Sequence, residues 1–173
     1  MKRARRNLTI DSIEEGPQLR TVGSVLLDSY MLYMPENGLG IELFVEYGGQ
    51  LVGKVKRETL LRELLGLNEK IEELWYQLPR LSGQLQFLAD FIVHARADRH
   101  AAVRNEALFA LIYCAKDCDL IPDSIPEIGY SDDAAVVELV LARNAPIFEA
   151  HSKGRGINWQ TIVGSAAVCE RDE

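Results

Sequence analysis

Ile41-Glu42-Leu43-Phe44-Val45-Glu46-Tyr47-Gly48-Gly49-Gln50-Leu51-Val52-Gly53-Lys54-Val55 admits two readings, and the choice between them decides the fold class. Ile41, Leu43, Val45 and Tyr47 alternate as a strand would before Gly48-Gly49. Ile41, Phe44, Val45, Leu51, Val52 and Val55 also fit a helix. A lone hairpin is marginal in water, and no other strand-like run exists to extend a sheet. Helix is therefore the preferred reading of residues 38–55, with the hairpin left open, and the chain as a whole reads as all-α, a compact helical bundle.

Working outward, Leu60, Leu61, Leu64, Leu67, Ile71, Leu74 and Leu78 recur at steps of three and four. That is the stripe of one amphipathic helix, which Pro79 stops. Its outer positions carry Lys56, Arg57, Glu58, Arg62, Glu63, Glu69, Lys70, Glu72 and Glu73, a mixed pattern that reads as a solvated face. Leu81, Leu85, Leu88, Ile92 and Ala95 repeat the spacing, so a second helix returns against the first, with Trp75 and Phe87 helping the pair to pack. A third helix covers about Ala102 to Ala115, with Val103, Leu108, Leu111, Ile112 and Ala115 on its core face. Upstream, a helix over Leu19 to Tyr33 ends at Pro35-Glu36-Asn37-Gly38.

Asp119-Leu120-Ile121-Pro122-Asp123-Ser124-Ile125-Pro126-Glu127-Ile128-Gly129-Tyr130-Ser131-Asp132-Asp133 joins the last two main helices. Pro122 and Pro126 fix φ, remove two donors and push Ile121 and Ile125 toward extended backbone, so this is a rigid connector rather than helix. Ser131 caps the helix that follows, with Asp132 and Asp133 opposing the positive end of its dipole. Val136, Val140 and Ile147 face inward, and Pro146 ends or kinks the helix near Asn144. The implied organisation is a flexible basic start over 1–16, a helical region over 17–79, a helical domain over 80–150 and a mobile tail over 151–173.

A net charge of −7 argues against nucleic acid as a partner, since phosphate binding needs a basic face. Lys2-Arg3-Ala4-Arg5-Arg6 is followed by Asn7-Leu8-Thr9-Ile10-Asp11 where a signal peptide would place its apolar region, so no secretion signal is expected. The longest apolar run, Ala107 to Ala115, is about half the ~20 residues that cross a bilayer as a helix. Three cysteines without a Cys-x-x-Cys spacing suggest reduced thiols in a cytoplasm.

Asp117, Asp119, Asp123, Glu127, Asp132 and Asp133 make the connector the one chemical concentration in the chain. Clustered carboxylates suit magnesium, calcium or manganese, with Asp119, Asp123, Asp132 and Asp133 as the candidate ligands. The spacing is not an EF-hand, because Pro122 stands where that loop needs glycine and Ile128 where it needs glutamate. On the plainer reading each acid has a local conformational role, in which Asp119 and Asp123 accept bonds from turn donors while Asp132 and Asp133 serve the helix start. No cofactor is expected on that reading. No nucleophile or oriented histidine marks a bond-breaking site, and His94, His100 and His151 lack metal-ligand spacing.

The run DLIPDSIPEIGYSDD resembles the signature of the YkvA-like family, a domain of unknown function, and the similarity extends upstream through EALFALIYCAK. It spans roughly residues 80 to 150. The resemblance implies a small helical domain with Asp119, Leu120, Ile121, Pro122, Asp123, Pro126, Gly129, Tyr130, Asp132 and Asp133 at the signature positions, and it carries over no catalytic role. The chain departs from the family at Asp117 and Cys118, and is polar at Ser124, Glu127 and Ser131. Some relatives look membrane-associated, and these polar positions argue against an embedded role here.

The expected function is a non-enzymatic interaction or adaptor module that presents Tyr130 and Glu127 to a protein partner, with a homo-oligomer also compatible with the sequence. The rival is a divalent-metal-dependent enzyme or regulator. A third reading is peripheral membrane attachment through the 107–115 helix and the basic start.

Overall fold

The structure, a computed structural model, describes residues 40–96, 99–116, 121, 123–125 and 128–164. The basic start, the helix expected over Leu19 to Tyr33, and Asp117, Cys118, Asp119, Leu120, Pro122, Pro126 and Glu127 of the connector lie outside the described residues. Those described form helices α1 (Ile41–Val52), α2 (Arg57–Glu63), α3 (Leu67–Gln77), α4 (Pro79–His94), α5 (Ala101–Cys114), α6 (Ser131–Arg143), α7 (Ala145–Arg155) and α8 (Trp159–Val163), with no strand among them. The all-α reading therefore holds, and residues 41–52 are helix.

The physical reason lies in the glycine pair that looked like a strand end. A Cβ on Gly48 would stand 2.5 Å from the Phe109 ring, and one on Gly49 2.9 Å from Glu106 Cγ. Two glycines in a helix interior cost about 1 kcal/mol each, and here they let α1 lie directly against α5. Phe44 then meets Phe109 and Tyr113 edge to face, at 5.2 and 5.6 Å between ring centres.

α5 is the centre of the bundle. Every residue from Ala107 to Cys114 is buried, so the second half of this helix is apolar all round rather than on the single face expected from its spacing. The run is thereby sealed inside and offers nothing to a membrane surface, and among the described residues no helix is long and apolar enough to cross one. One core cluster joins α1, α3, α4, α5, α6 and α7, from Phe44 to Phe148.

The expectations for α2, α3 and α4 need correction. The long helix over Leu60 to Leu78 is two helices, because Gly66 takes a left-handed φ of 89° and turns the chain between α2 and α3. Trp75 does not pack between α3 and α4: it is 54% exposed, while Phe87 is buried against Phe148 and Trp159. α4 begins with Pro79 in its first turn, where a missing N–H costs nothing, and Ser82 Oγ donates to the Ile71 carbonyl at 2.8 Å to tie the two helices.

Pro146 has the effect expected, ending α6 at Arg143 and sitting in the first turn of α7. Beyond it the chain stays in the fold up to Gly164 instead of trailing off from His151. His151 Nε2 meets Asp90 Oδ2 at 2.8 Å, Arg155 holds both Asp90 oxygens at 3.0 and 3.2 Å, and Gln84 Nε2 donates to the Ile162 carbonyl at 3.0 Å. His94 Nδ1 lies 3.0 Å from Asp90 as well. The late helices thus close over α4 through one carboxylate.

Candidate functional site

The connector passes beside α3, and its described acids meet side chains that the amphipathic pattern assigned to solvent. Lys70, buried on α3, pairs with Asp123 and donates to the Lys116 carbonyl at 3.5 Å. Its ammonium also lies 5.2 Å from the centre of the Tyr130 ring, a cation–π distance. On the other side Lys116 Nζ stands 2.8 Å from Glu63 Oε2, so the end of α5 is pinned to the end of α2. Glu63 is buried too.

Lys70 and Glu63 are the residues that reading the sequence missed, and a signal for both was present. Lys70 follows Leu67 by three and precedes Leu74 by four, and Glu63 follows Leu60 by three and precedes Leu67 by four. Each therefore falls on the apolar stripe. An ionisable group there must find a partner, since burying it unpaired costs several kcal/mol.

The first turn of α6 supplies the rest. Asp132 Oδ2 accepts from the Tyr113 hydroxyl at 2.6 Å and from the Ile121 amide at 3.0 Å, joining α5, the connector and α6 at one atom. Ser131 is the first helical residue rather than the cap, and its hydroxyl donates to the Ile128 carbonyl at 2.7 Å. Asp133 is fully buried beside Cys114, and neither of its carboxylate oxygens has a geometrically formed hydrogen bond among the described residues. Burial pushes its carboxyl up to about 7, helped by the charges of Asp123 and Asp132; the Cys114 thiol and Lys70 pull the other way without overcoming it. Burial likewise raises the Tyr130 hydroxyl above its ordinary value, with Lys70 opposing and Asp123, Glu73 and Asp133 reinforcing.

Gly129 fixes the connector's closure. A Cβ there would stand 2.5 Å from the Asp123 carbonyl oxygen, so only glycine fits without a backbone shift.

Of the candidate ligands, Asp123, Asp132 and Asp133 do gather near one another, and Asp119 lies outside the described residues. They do not form an open ring of oxygens. Among the described residues no group of three or more histidine, cysteine or acidic side chains is arranged to hold a metal ion, and Lys70 already places a cation against Asp123. Asp132 and Asp133 are buried rather than displayed, and Tyr130 is half-buried under Lys70 rather than a free tip.

The model of a protein family of unknown function (DUF1232) matches residues 105–139, running from α5 through the connector into α6. The match takes in Tyr113, Cys114, Lys116, Asp123, Tyr130, Asp132 and Asp133, whereas Lys70 and Glu63 come from helices that precede it. No curated protein and no solved structure matches the chain.

Proposed function

We propose that this protein is a non-enzymatic interaction or adaptor module of the YkvA-like kind, working in the cytoplasm and binding another protein. Its connector sets the angle between α5 and α6. The observation that carries this reading is that the connector's described acids are spent on the fold itself: Asp123 on Lys70, Asp132 on Tyr113 and the Ile121 amide, Asp133 in the core. Among the described residues the connector leaves outward Ile125 and Ile128, beside Ser124 and Ser131. A surface of that kind suits recognition by contact better than bond-breaking chemistry.

A metal-dependent reading retains one supporting observation, that Asp132 Oδ1 and both oxygens of Asp133 are buried without a hydrogen-bond partner among the described residues. Titration calorimetry of magnesium, calcium and manganese into chelator-stripped protein separates the two. No heat of binding is expected. Micromolar binding that disappears in the Asp119→Asn plus Asp132→Asn variant would replace the adaptor reading with a metal site. In parallel, in-cell photo-crosslinking should recover a protein whose capture is lost when surface positions, rather than buried acids, are changed.

A further inference from the structure

The charge pattern around α3 is mixed only along the sequence. Folding takes Lys70 inward, and the outward half of the helix keeps Glu69, Glu72, Glu73, Trp75 and Tyr76, all exposed, with no lysine or arginine among them. Tyr76 is 88% exposed and Trp75 54%. The two rings stand beside carboxylates three and four positions away, so acids and aromatics share one surface. None of the three glutamates has an ion pair or hydrogen bond among the described residues. Some other surface acids are matched, Glu138 by Arg80 at 3.0 Å and Glu149 by Lys153 at 2.9 Å, while Glu42 and Glu58 stand singly, away from exposed rings of this helix. Like charges at these spacings repel one another, and two large rings are exposed beside them with no ring contact among the described residues.

Resting on the interaction reading above, we propose that the outward face of α3 is a docking surface for an arginine-bearing segment of a partner protein. Arginine fits both halves of the surface. Its guanidinium pairs with carboxylates through two parallel bonds and stacks flat on tryptophan or tyrosine, and its weak hydration makes it easier to bury than lysine. The same charge complementarity disfavours an anionic membrane or nucleic acid at this face.

The test uses the full chain and a fluorescent amphipathic peptide of arginines and leucines, with a glutamate-for-arginine peptide as its opposite. Anisotropy should show salt-sensitive binding of the first and none of the second. Glu69→Lys with Glu73→Lys should weaken binding about tenfold or more, while Glu42→Lys with Glu58→Lys, the same change in net charge elsewhere, should alter it about twofold at most. Trp75→Ser with Tyr76→Ser should also cost about tenfold. All of these side chains are exposed, and unchanged circular dichroism melts confirm that the variants fold. Failure of the arginine peptide to bind, equal loss in the two charge-reversal pairs, or indifference to the loss of both rings overturns the proposal. So does a homodimer that dissociates when Trp75 and Tyr76 are replaced, which would make a second copy the occupant. If the peptide fails while the crosslinked partner persists in the Trp75→Ser, Tyr76→Ser variant, this surface is wrong and the adaptor reading stands; micromolar metal binding would remove the adaptor reading itself.

Discussion

Two of the polar clusters that tie helices of this bundle manage charge in opposite ways. Around Asp90, His94, His151 and Arg155 converge on a single carboxylate at the partly open surface of α4. Burial, the largest influence on Asp90, raises its carboxyl, but the hydrogen bonds from His151 and Arg155 and the charges of Arg155 and His94 together hold it below its ordinary value. Around Lys70 the ratio is reversed: Asp123, Asp132 and Asp133 gather near one buried ammonium, and Asp133 is pushed up to about 7. Where several donors converge on one acid, the carboxylate stays charged; where three acids crowd about one buried ammonium, the one held deepest keeps its proton. The first arrangement fastens the last helices from outside, and the second orders the connector from within.

The sharpest way to break this contrast is to remove the central cation of each cluster. Lys70→Met removes the buried ammonium that faces Asp123 and should lower unfolding free energy by about 3–5 kcal/mol in urea titrations, with much of the loss recovered in Lys70→Met plus Asp123→Leu. Arg155→Met, at a half-open site where His151 also donates, should cost about 1 kcal/mol or less. If the two losses come out equal, the difference in burial is not what separates the clusters.

The pH dependences should have opposite sign. Asp133 has a raised folded pKa, so its favourable contribution is complete below the unfolded value of 3.8 and is lost as pH rises toward about 7. Asp133→Asn should flatten that dependence and raise stability at neutral pH relative to the parent, on the order of 3 kcal/mol at most, as followed by thermal melts across pH 4 to 8. Asp90 has a lowered folded pKa, so its contribution is present above 3.8 and fades as pH falls through the folded value. Asp90→Asn should cost about 1 kcal/mol at neutral pH and nothing in strong acid. The smallest effect is expected outside both clusters, where Trp75→Ser should leave stability within about 0.5 kcal/mol.

Much of this architecture was legible in the sequence because helix periodicity reports burial directly. α4, α5 and the break between α6 and α7 sit where leucine spacing and Pro146 place them. The split at Gly66 was not, since leucines on both sides keep the same phase while a single positive φ turns the chain. The Gly48-Gly49 pair misleads in the other direction, because a glycine's usual meaning is a turn and its use here depends on Phe109, some sixty residues away. In the site, the acids were visible by composition alone, but their cation was hidden among surface charges. Its position on the apolar stripe was readable; its partnership with Asp123 is a tertiary fact that no local pattern contains. Trp75 was misplaced for a related reason: aromatic residues are expected inside, and nothing local shows that this one points outward.

The burial of Asp133 also makes solvent protons a reactant in assembly. Midway between 3.8 and about 7 the unfolded chain carries this carboxylate largely ionised while the native core holds mostly the acid form, so folding draws protons from the buffer at this group. The heat of folding measured in that range would then include the buffer's own heat of ionisation, and changing buffer at constant pH would count the protons taken up without altering a residue.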